Sequence, residues 1–248
     1  MFIIANGAYK GGSTWLYQIA ECLPGFSPVP PEFRDPKFQN ASLDLEKFDR
    51  LMQVTGNFYS KQHWYGAQIY KDILSHDRVR MLNIVRNIGD VVVSFYFHLR
   101  RGNHFDGPFD EYFASSGLRH VVRYIDYQTW WHQPGVREPY MLSYEGLKSN
   151  FDESAIALLS YLDITPSSEL VALLETTDVL HSENGRIVGE GKFFRKAVVG
   201  DYENFLTSEM KSKINDLCRA RNYDSLVRGL RARFPHCEAT LSAWDFDA

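Results

Sequence analysis

Near the amino terminus, Lys10-Gly11-Gly12-Ser13-Thr14-Trp15 places one ammonium, two glycines and two hydroxyls side by side. Glycines let a backbone close tightly around an anion, and the free N–H groups and positive dipole end of a following helix point at it. The flanks fit such a cradle. Phe2-Ile3-Ile4-Ala5 is an apolar run of strand length, and Trp15, Leu16, Ile19, Ala20 and Leu23 recur at helical spacing. Residue order separates this loop from an ordinary ATP or GTP loop, in which the lysine follows the last glycine; here Lys10 precedes the pair. A small-molecule kinase would also need a magnesium carboxylate that the pattern lacks. The plain alternative is a strand-to-helix turn whose glycines serve packing alone.

A second constellation follows Met81-Leu82-Asn83-Ile84-Val85, which reads as a strand. Arg86 leaves its end, and Ser94 comes eight residues later, on the helix carrying Val92, Phe95, Tyr96 and Leu99. A planar guanidinium fork and a short hydroxyl in that relation can converge on one phosphate. Arg86 paired with Asp90 is the alternative. Gly66-Ala67-Gln68-Ile69-Tyr70-Lys71-Asp72 reads as a further strand, which would set Lys71 and Asp72 beyond its carboxyl end, where open parallel sheets bind ligands. Lys192 to Lys196 is a basic loop near the carboxyl-terminal third.

These stretches resemble the signatures of sulfotransferases that use 3′-phosphoadenosine 5′-phosphosulfate (PAPS). Lys10 to Trp15 is similar to the family's 5′-phosphosulfate loop, implying that Lys10, Gly11, Gly12, Ser13, Thr14 and Trp15 hold the cofactor. Val85-Arg86-Asn87-x-x-Asp90-x-x-Val93-Ser94-x-Tyr96 resembles R-[ND]-P-x-D-x-x-V-S-x-Y, with Ile88 in place of the proline, and implies a 3′-phosphate site at Arg86 and Ser94. Tyr144-Glu145-Gly146-Leu147 resembles Y-E-[DG]-L, whose tyrosine contacts adenine, and Thr176-Thr177-Asp178 loosely matches a threonine-serine pair near the same base. Phe193-x-Arg195-Lys196-Ala197-x-x-Gly200-Asp201-Tyr202-x-Asn204 resembles F-x-R-K-G-x-x-G-D-W-K-N, with Phe193 against the base and Arg195 and Lys196 on the 3′-phosphate. Ala197 in place of glycine weakens the expectation of a backbone contact there.

The resemblance implies transfer of a sulfuryl group from PAPS to a hydroxyl or amine of a small-molecule acceptor, with release of 3′,5′-ADP and no metal. Animal cytosolic members have longer loops after the second strand, which points to a bacterial or specialised-metabolism enzyme. The family also carries K-T-H at its second strand end. Read onto Lys71-Asp72-Ile73, that motif keeps a lysine for the transferring group but loses its histidine. Three groups are then candidates for the general base. Glu32 follows the first helix in a Pro31-Glu32-Phe33 run comparable to a glutamate of heparan-type members, with Phe26 and Phe33 able to desolvate it. His76 has a suitable intrinsic pKa, and Asp72 adjoins Lys71. An inactive module that binds PAPS or 3′,5′-ADP is the rival that a missing histidine motivates.

The elements that must position these residues are those of an α/β chain. The expected fold is one domain over residues 1–248, a central parallel sheet of four or five strands flanked by helices, like P-loop nucleotide hydrolases. Tyr140 to Leu147 supplies a strand and loop, and 23–36, rich in proline, reads as loop. Residues 40–61 read as a packing or lid helix, Glu153–Leu162 and Ser168–Glu175 as helices, Thr207 as a helix cap, and the tail from 235 as loosely ordered. With 248 residues, 44% of them hydrophobic, a sizeable core is available. A net charge of −4 argues against a nucleic-acid partner. Cys22, Cys218 and Cys237 lack the spacing of a disulfide framework or zinc site, and no run approaches the roughly 20 apolar residues of a membrane span. A cytoplasmic protein without a membrane anchor is expected.

Overall fold

The computed structural model describes residues 1–35, 43–133, 135–178 and 198–234, together with Trp244. Its frame is a five-stranded sheet of Phe2–Asn6 (β1), Phe26–Pro28 (β2), Asn57–Gln62 (β3), Val79–Val85 (β4) and Tyr140–Ser143 (β5), in the order β2-β3-β1-β4-β5 with every pair parallel. The helices are Ser13–Glu21 (α1), Leu45–Gln53 (α2), Gln68–Ser75 (α3), Ile88–Arg101 (α4), Phe109–Tyr112 (α5), Leu118–Trp130 (α6), Tyr144–Ser149 (α7), Phe151–Tyr161 (α8), Ser168–Glu175 (α9), Ser208–Ala220 (α10) and Tyr223–Arg233 (α11). A π-helical turn at Phe113–Gly117 joins α5 to α6.

Because strand side chains alternate, the sheet packs two separate cores. Ile3, Ala5, Leu82, Ile84 and Leu142 face α1, α8 and α9, where Trp15, Leu16, Ile19, Leu158 and Leu174 are buried. Phe2, Ile4, Met81, Val85 and Met141 face the other way, against Ile73 of α3, Val91 and Val92 of α4, Ile125 of α6 and Ile214 of α10. The chain therefore leaves β1 toward one face and the neighbouring β4 toward the other. A crevice must open between their carboxyl ends, the switch point at which parallel sheets bind ligands.

Two expected elements are corrected. The helix expected over 40–61 is α2 alone; it is capped by Asp44, which accepts from Lys47 N–H at 2.8 Å, and after a turn at Gly56 the chain enters β3. That strand was masked by polar residues, for Ser60 and Gln62 are buried and satisfy one another, Gln62 Nε2 donating to Ser60 Oγ at 3.1 Å. The strand expected at Gly66–Asp72 is instead the start of α3, since Gly66 turns the chain at φ 81° and Ile73 and Leu74 then bury one helical face. The proline-rich segment also contains a short edge strand, β2, and a 3-10 turn at Pro31–Phe33; Pro28 is tolerated there because edge positions need not donate on both sides. Thr207 caps α10 as expected, accepting from Met210 N–H at 3.3 Å. Trp244 is buried against Tyr202, ring centroids 5.1 Å apart, and donates to Asn215 Oδ1 at 2.7 Å.

Candidate active site

The loop between β1 and α1 is built for close approach. Lys10 adopts φ 65° and Gly12 φ 111°. A Cβ on Gly12 would lie 2.9 Å from Ile84 Cδ1 and 3.0 Å from Tyr144 Cδ2, and one on Gly7 would lie 2.9 Å from Ser13 Cβ. Among the described residues no side chain caps α1, and no acidic residue stands in its first turn. Its N-terminus thus keeps its positive end for an anion. Thr14 Oγ1 accepts from Lys61 Nζ at 2.7 Å, which brings a second ammonium from β3 beside the loop.

Cations gather around Lys10. Burial, then Arg101, Arg86 and Lys61 in turn, lower its pKa to about 8. Arg86 leaves the end of β4 with its guanidinium 4.2 Å above the Tyr144 ring, donating to Lys10 O at 3.3 Å and Val198 O at 3.4 Å. Its Nε is buried with no hydrogen-bond partner among the described residues. Asp90 does not take up this arginine, because its carboxylate accepts from Gly200 N–H at 2.8 Å and Tyr202 N–H at 3.1 Å. Tyr124 braces the Arg86 backbone from the far side, its hydroxyl accepting from Arg86 N–H and donating to Arg86 O, each at 2.8 Å.

Asn87 Oδ1 caps α4 through Gly89 N–H at 2.9 Å and Asp90 N–H at 3.3 Å, while buried Glu145 accepts from Asn87 N–H at 3.0 Å. Ser94, His98 and Arg101 then fall on one helical stripe. Arg101 donates to His98 Nδ1 at 3.0 Å, and burial, followed by Lys10, Arg101 and His104, lowers His98 to about 4. The stripe bearing Ser94 thus runs past Lys10.

Trp15 and Tyr144 meet edge to face at 5.4 Å; Trp15 Nε1 donates to Thr177 Oγ1 at 3.0 Å, and Lys148 lies 5.1 Å over the indole while bonding Asp178 at 2.5 Å. The loosely matched Thr176–Asp178 segment therefore does reach the first loop. Phe193, Arg195 and Lys196 lie outside the described residues; the adjoining Val198 to Tyr202 is tied to the site through Arg86 and Asp90.

The expected placement of Lys71, Asp72 and His76 is corrected, while Glu32 stands in the expected segment but exposed. His76 caps the far end of α3, just before β4 begins, and accepts there from Arg78 N–H at 3.1 Å. It lies at the amino ends of the strands, roughly 20 Å from Arg86 along β4. Lys71 and Asp72 belong to α3: Lys71 Nζ sits 6.0 Å over the Trp130 ring, and Asp72, exposed, accepts from Gln68 at 3.2 Å. Glu32 does stand beyond the carboxyl end of β2, but at the sheet edge and exposed, so Phe26 and Phe33 do not desolvate it.

The true strand end is Lys61-Gln62-His63, on β3 immediately beside β1. His63 Nδ1 lies 2.6 Å from Gly7 O, and its ring stacks on Tyr9 at 4.1 Å. Burial, with Lys61 adding, lowers its pKa to about 4 against the raising effect of the Gly7 contact. A K-x-H pattern falls at 61–63, at the end of a strand whose polar residues do not announce it. Among the described residues no group of three or more His, Cys, Asp or Glu is placed to hold a metal ion, and no helix is long and apolar enough to cross a membrane.

Residues 2–227 match the model of the sulfotransferase domain. The chain belongs to the sulfotransferase family. It is 26% identical over 251 residues to sulfotransferase 1E1 of Cavia porcellus, covering 89% of this chain and 81% of that protein, and 28% identical to flavonol 4′-sulfotransferase of Flaveria chlorifolia, covering 84% and 75%. The match to mouse sulfotransferase 1E1 takes in 57% of that protein's length. The fold is that of mouse sulfotransferase SULT7A1 in complex with PAP, with a TM-score of 0.70 at 19% identity over 95% of this chain and 88% of that one. Retinol dehydratase, solved with androsterone and the inactive cofactor PAP, superposes with a TM-score of 0.63 at 16% identity over 89% and 80% of the two chains.

Proposed function

We propose that this sulfotransferase moves a sulfuryl group from PAPS to a hydroxyl of a small-molecule acceptor, with His63 as the general base. The observation that carries the reading is the state of His63. Gly7 O can only accept, so Nδ1 must carry the proton it donates, and Nε2 is left with a lone pair. Burial keeps that ring neutral at physiological pH. The rival of an inactive binding module rested on a missing histidine, and His63 removes its motive.

The residues suit PAPS. Gly7 and Gly12 let the loop pack on Ser13, Ile84 and Tyr144 where a Cβ would not fit, Lys10 sits among cations, and Arg86 Nε is a buried donor with no hydrogen-bond partner among the described residues. Lys10, the loop N–H groups from Gly11 to Thr14, and Lys61 would hold the 5′-phosphosulfate; Arg86 and Ser94 the 3′-phosphate; Trp15 and Tyr144 the adenine end. PAPS supplies the sulfuryl group and departs as 3′,5′-ADP. His63 Nε2 takes the acceptor's hydroxyl proton as the acceptor oxygen bonds to sulfur. Lys10 and Lys61 stabilise the electron pair left on the 5′-phosphate oxygen when the sulfur–oxygen bond breaks, so catalysis is positioning plus stabilisation of spread negative charge. The cytosolic-type relatives support a cytoplasmic setting, and androsterone or retinol in the retinol dehydratase structures supports acceptors of small-molecule size.

Turnover of a panel of hydroxyl acceptors with labelled PAPS tests the assignment. His63→Gln is expected to lower turnover by about 10³-fold or more, within what general-base removal costs, while 3′,5′-ADP still binds. A variant of wild-type turnover would return the base to an open question.

A further inference from the structure

We propose that Asn6 is a positioning residue, holding the strand-end turn so that His63 keeps the Nδ1–H tautomer and aims Nε2 into the crevice. The inference rests on His63 being the base. Asn6 closes β1 and is fully buried. Its side chain behaves as one more rung of the sheet: Nδ2 donates to Trp64 O at 3.2 Å, and Oδ1 accepts from Trp64 N–H at 2.8 Å.

The geometry of β3 makes this clamp consequential. Regular pairing with β1 ends at the register pair Asn6 and Gln62, so from His63 onward no strand ladder restrains the chain. The Asn6 amide takes over for the next residue but one, while Gly7, its neighbour, offers the carbonyl to which His63 Nδ1 donates. Asn6 and Gly7 thus grip Trp64 and His63 from consecutive positions. Trp64 is held from its other side by Tyr70 of α3, stacked at 4.9 Å with an interplanar angle of 6°. The groups facing His63 are Tyr9 on the loop, Lys61 on its own strand and the Gly7 carbonyl.

An aliphatic residue of similar shape would satisfy packing but neither Trp64 backbone group. Without the clamp the turn relaxes, the Nδ1–H donation loosens and the ring meets water. Its pKa then moves up toward that of an ordinary histidine, and a displacement near 1 Å in a reacting group costs about 10²-fold in rate.

The test uses the full chain with ring-¹⁵N-labelled histidine, wild type against Asn6→Ala, Asn6→Asp and His63→Gln. Histidine spectra give the tautomer of His63, assigned by its absence in His63→Gln. Titration with 3′,5′-ADP gives cofactor affinity, and turnover is followed against pH. Wild type is expected to show a single Nδ1–H form. Asn6→Ala is expected to show mixed tautomers, kcat lower by about 10²-fold, an acid limb displaced to higher pH, and 3′,5′-ADP affinity within about threefold of wild type. Asn6→Asp keeps the acceptor for Trp64 N–H but opposes a carboxylate to Trp64 O, and it decides the question if Asn6→Ala does not fold. Wild-type kcat with an unchanged Nδ1–H signal in the folded variant overturns the proposal. If His63→Gln retains turnover while Asn6→Ala still shifts the tautomer, the base assignment falls and the positioning role of Asn6 stands.

Discussion

Replacing Lys10 by methionine should make the ligand-free protein more stable and the catalyst worse. The reason is the cost of holding an ammonium in a half-buried loop beside Arg101, Arg86 and Lys61, which lowers its pKa from 10.5 to about 8. Fully expressed, a difference of that size corresponds to roughly 3 kcal/mol against the charged form; allowing for relaxation and solvent screening, about 1–2 kcal/mol is the expected gain at pH 7. The sign follows from linkage. Below pH 8 both folded and unfolded chains carry the proton and the penalty is present in full. Between about 8 and 10.5 the unfolded chain binds more protons, so this group makes stability rise with pH.

Lys10→Met should therefore raise Tm at pH 7 by about 2–8 °C and flatten the rise of stability between pH 8 and 10.5. The same variant should lose affinity for 3′,5′-ADP and about 10²-fold or more in turnover, because in the proposed assignment the penalised charge is the one that meets the phosphosulfate. In the wild type, bound nucleotide should raise the Lys10 pKa, so that calorimetry near pH 9 in buffers of different ionisation enthalpy records proton uptake on binding. Thermal melts, titration calorimetry and a rate assay on one preparation suffice. A lower Tm at pH 7 together with undiminished nucleotide affinity would refute the reasoning and reduce Lys10 to a structural residue of the turn.

Binding of 3′,5′-ADP should exceed that of 5′-AMP by roughly 1.5–3 kcal/mol for each charge-assisted hydrogen bond that Arg86 and its neighbours make to the 3′-phosphate, and competition calorimetry with both nucleotides, and with ATP, reads this directly. Arg86→Lys should erase most of the difference, since an ammonium cannot present the guanidinium fork. Turnover should survive EDTA and gain nothing from magnesium, because in the proposed assignment Lys10, Lys61 and the α1 N-terminus supply the positive charge at the phosphosulfate. Glu32→Gln, His76→Ala, Asp72→Asn and Lys71→Ala should each keep turnover within about threefold of wild type, whereas Lys61→Ala should not; a dead but nucleotide-binding variant among the first four would displace His63 or Lys61 from the roles assigned to them. Gly12→Ala should cost both stability and nucleotide affinity, as φ 111° and a Cβ 2.9 Å from Ile84 leave no room.

The local frames of the Lys10 loop and of the Arg86–Ser94 element, and the strand that leads to Tyr144, were legible from residue order. Each is a local motif: a strand, a turn and the helix it opens lie within a few residues of one another, so spacing along the chain is nearly spacing in space. The α/β architecture, a sheet with helices on both faces, was legible for the same reason, from apolar runs in Phe2–Ala5 and Met81–Val85 and from helical periodicity between them. Where one strand stops and the next begins was not legible in 57–75. Asn57–Gln62 reads as polar because Ser60 and Gln62, though buried, satisfy each other, a pairing that no local pattern announces. Ile69 to Leu74 reads as apolar at a spacing that serves a strand or a helix, and only packing of Ile73 and Leu74 against the core selects the helix. The two lysine-bearing stretches, at Lys61 and Lys71, lie only ten residues apart, so the local pattern places Lys71 rather than Lys61 and His63 at a strand end. Tertiary structure decides the matter because the groups of the proposed site come from strands that are neighbours in the sheet and distant in the chain: β1 lies between β3 and β4, so His63 reaches Gly7 O and Arg86 reaches Lys10 O through pairings that sequence order does not encode.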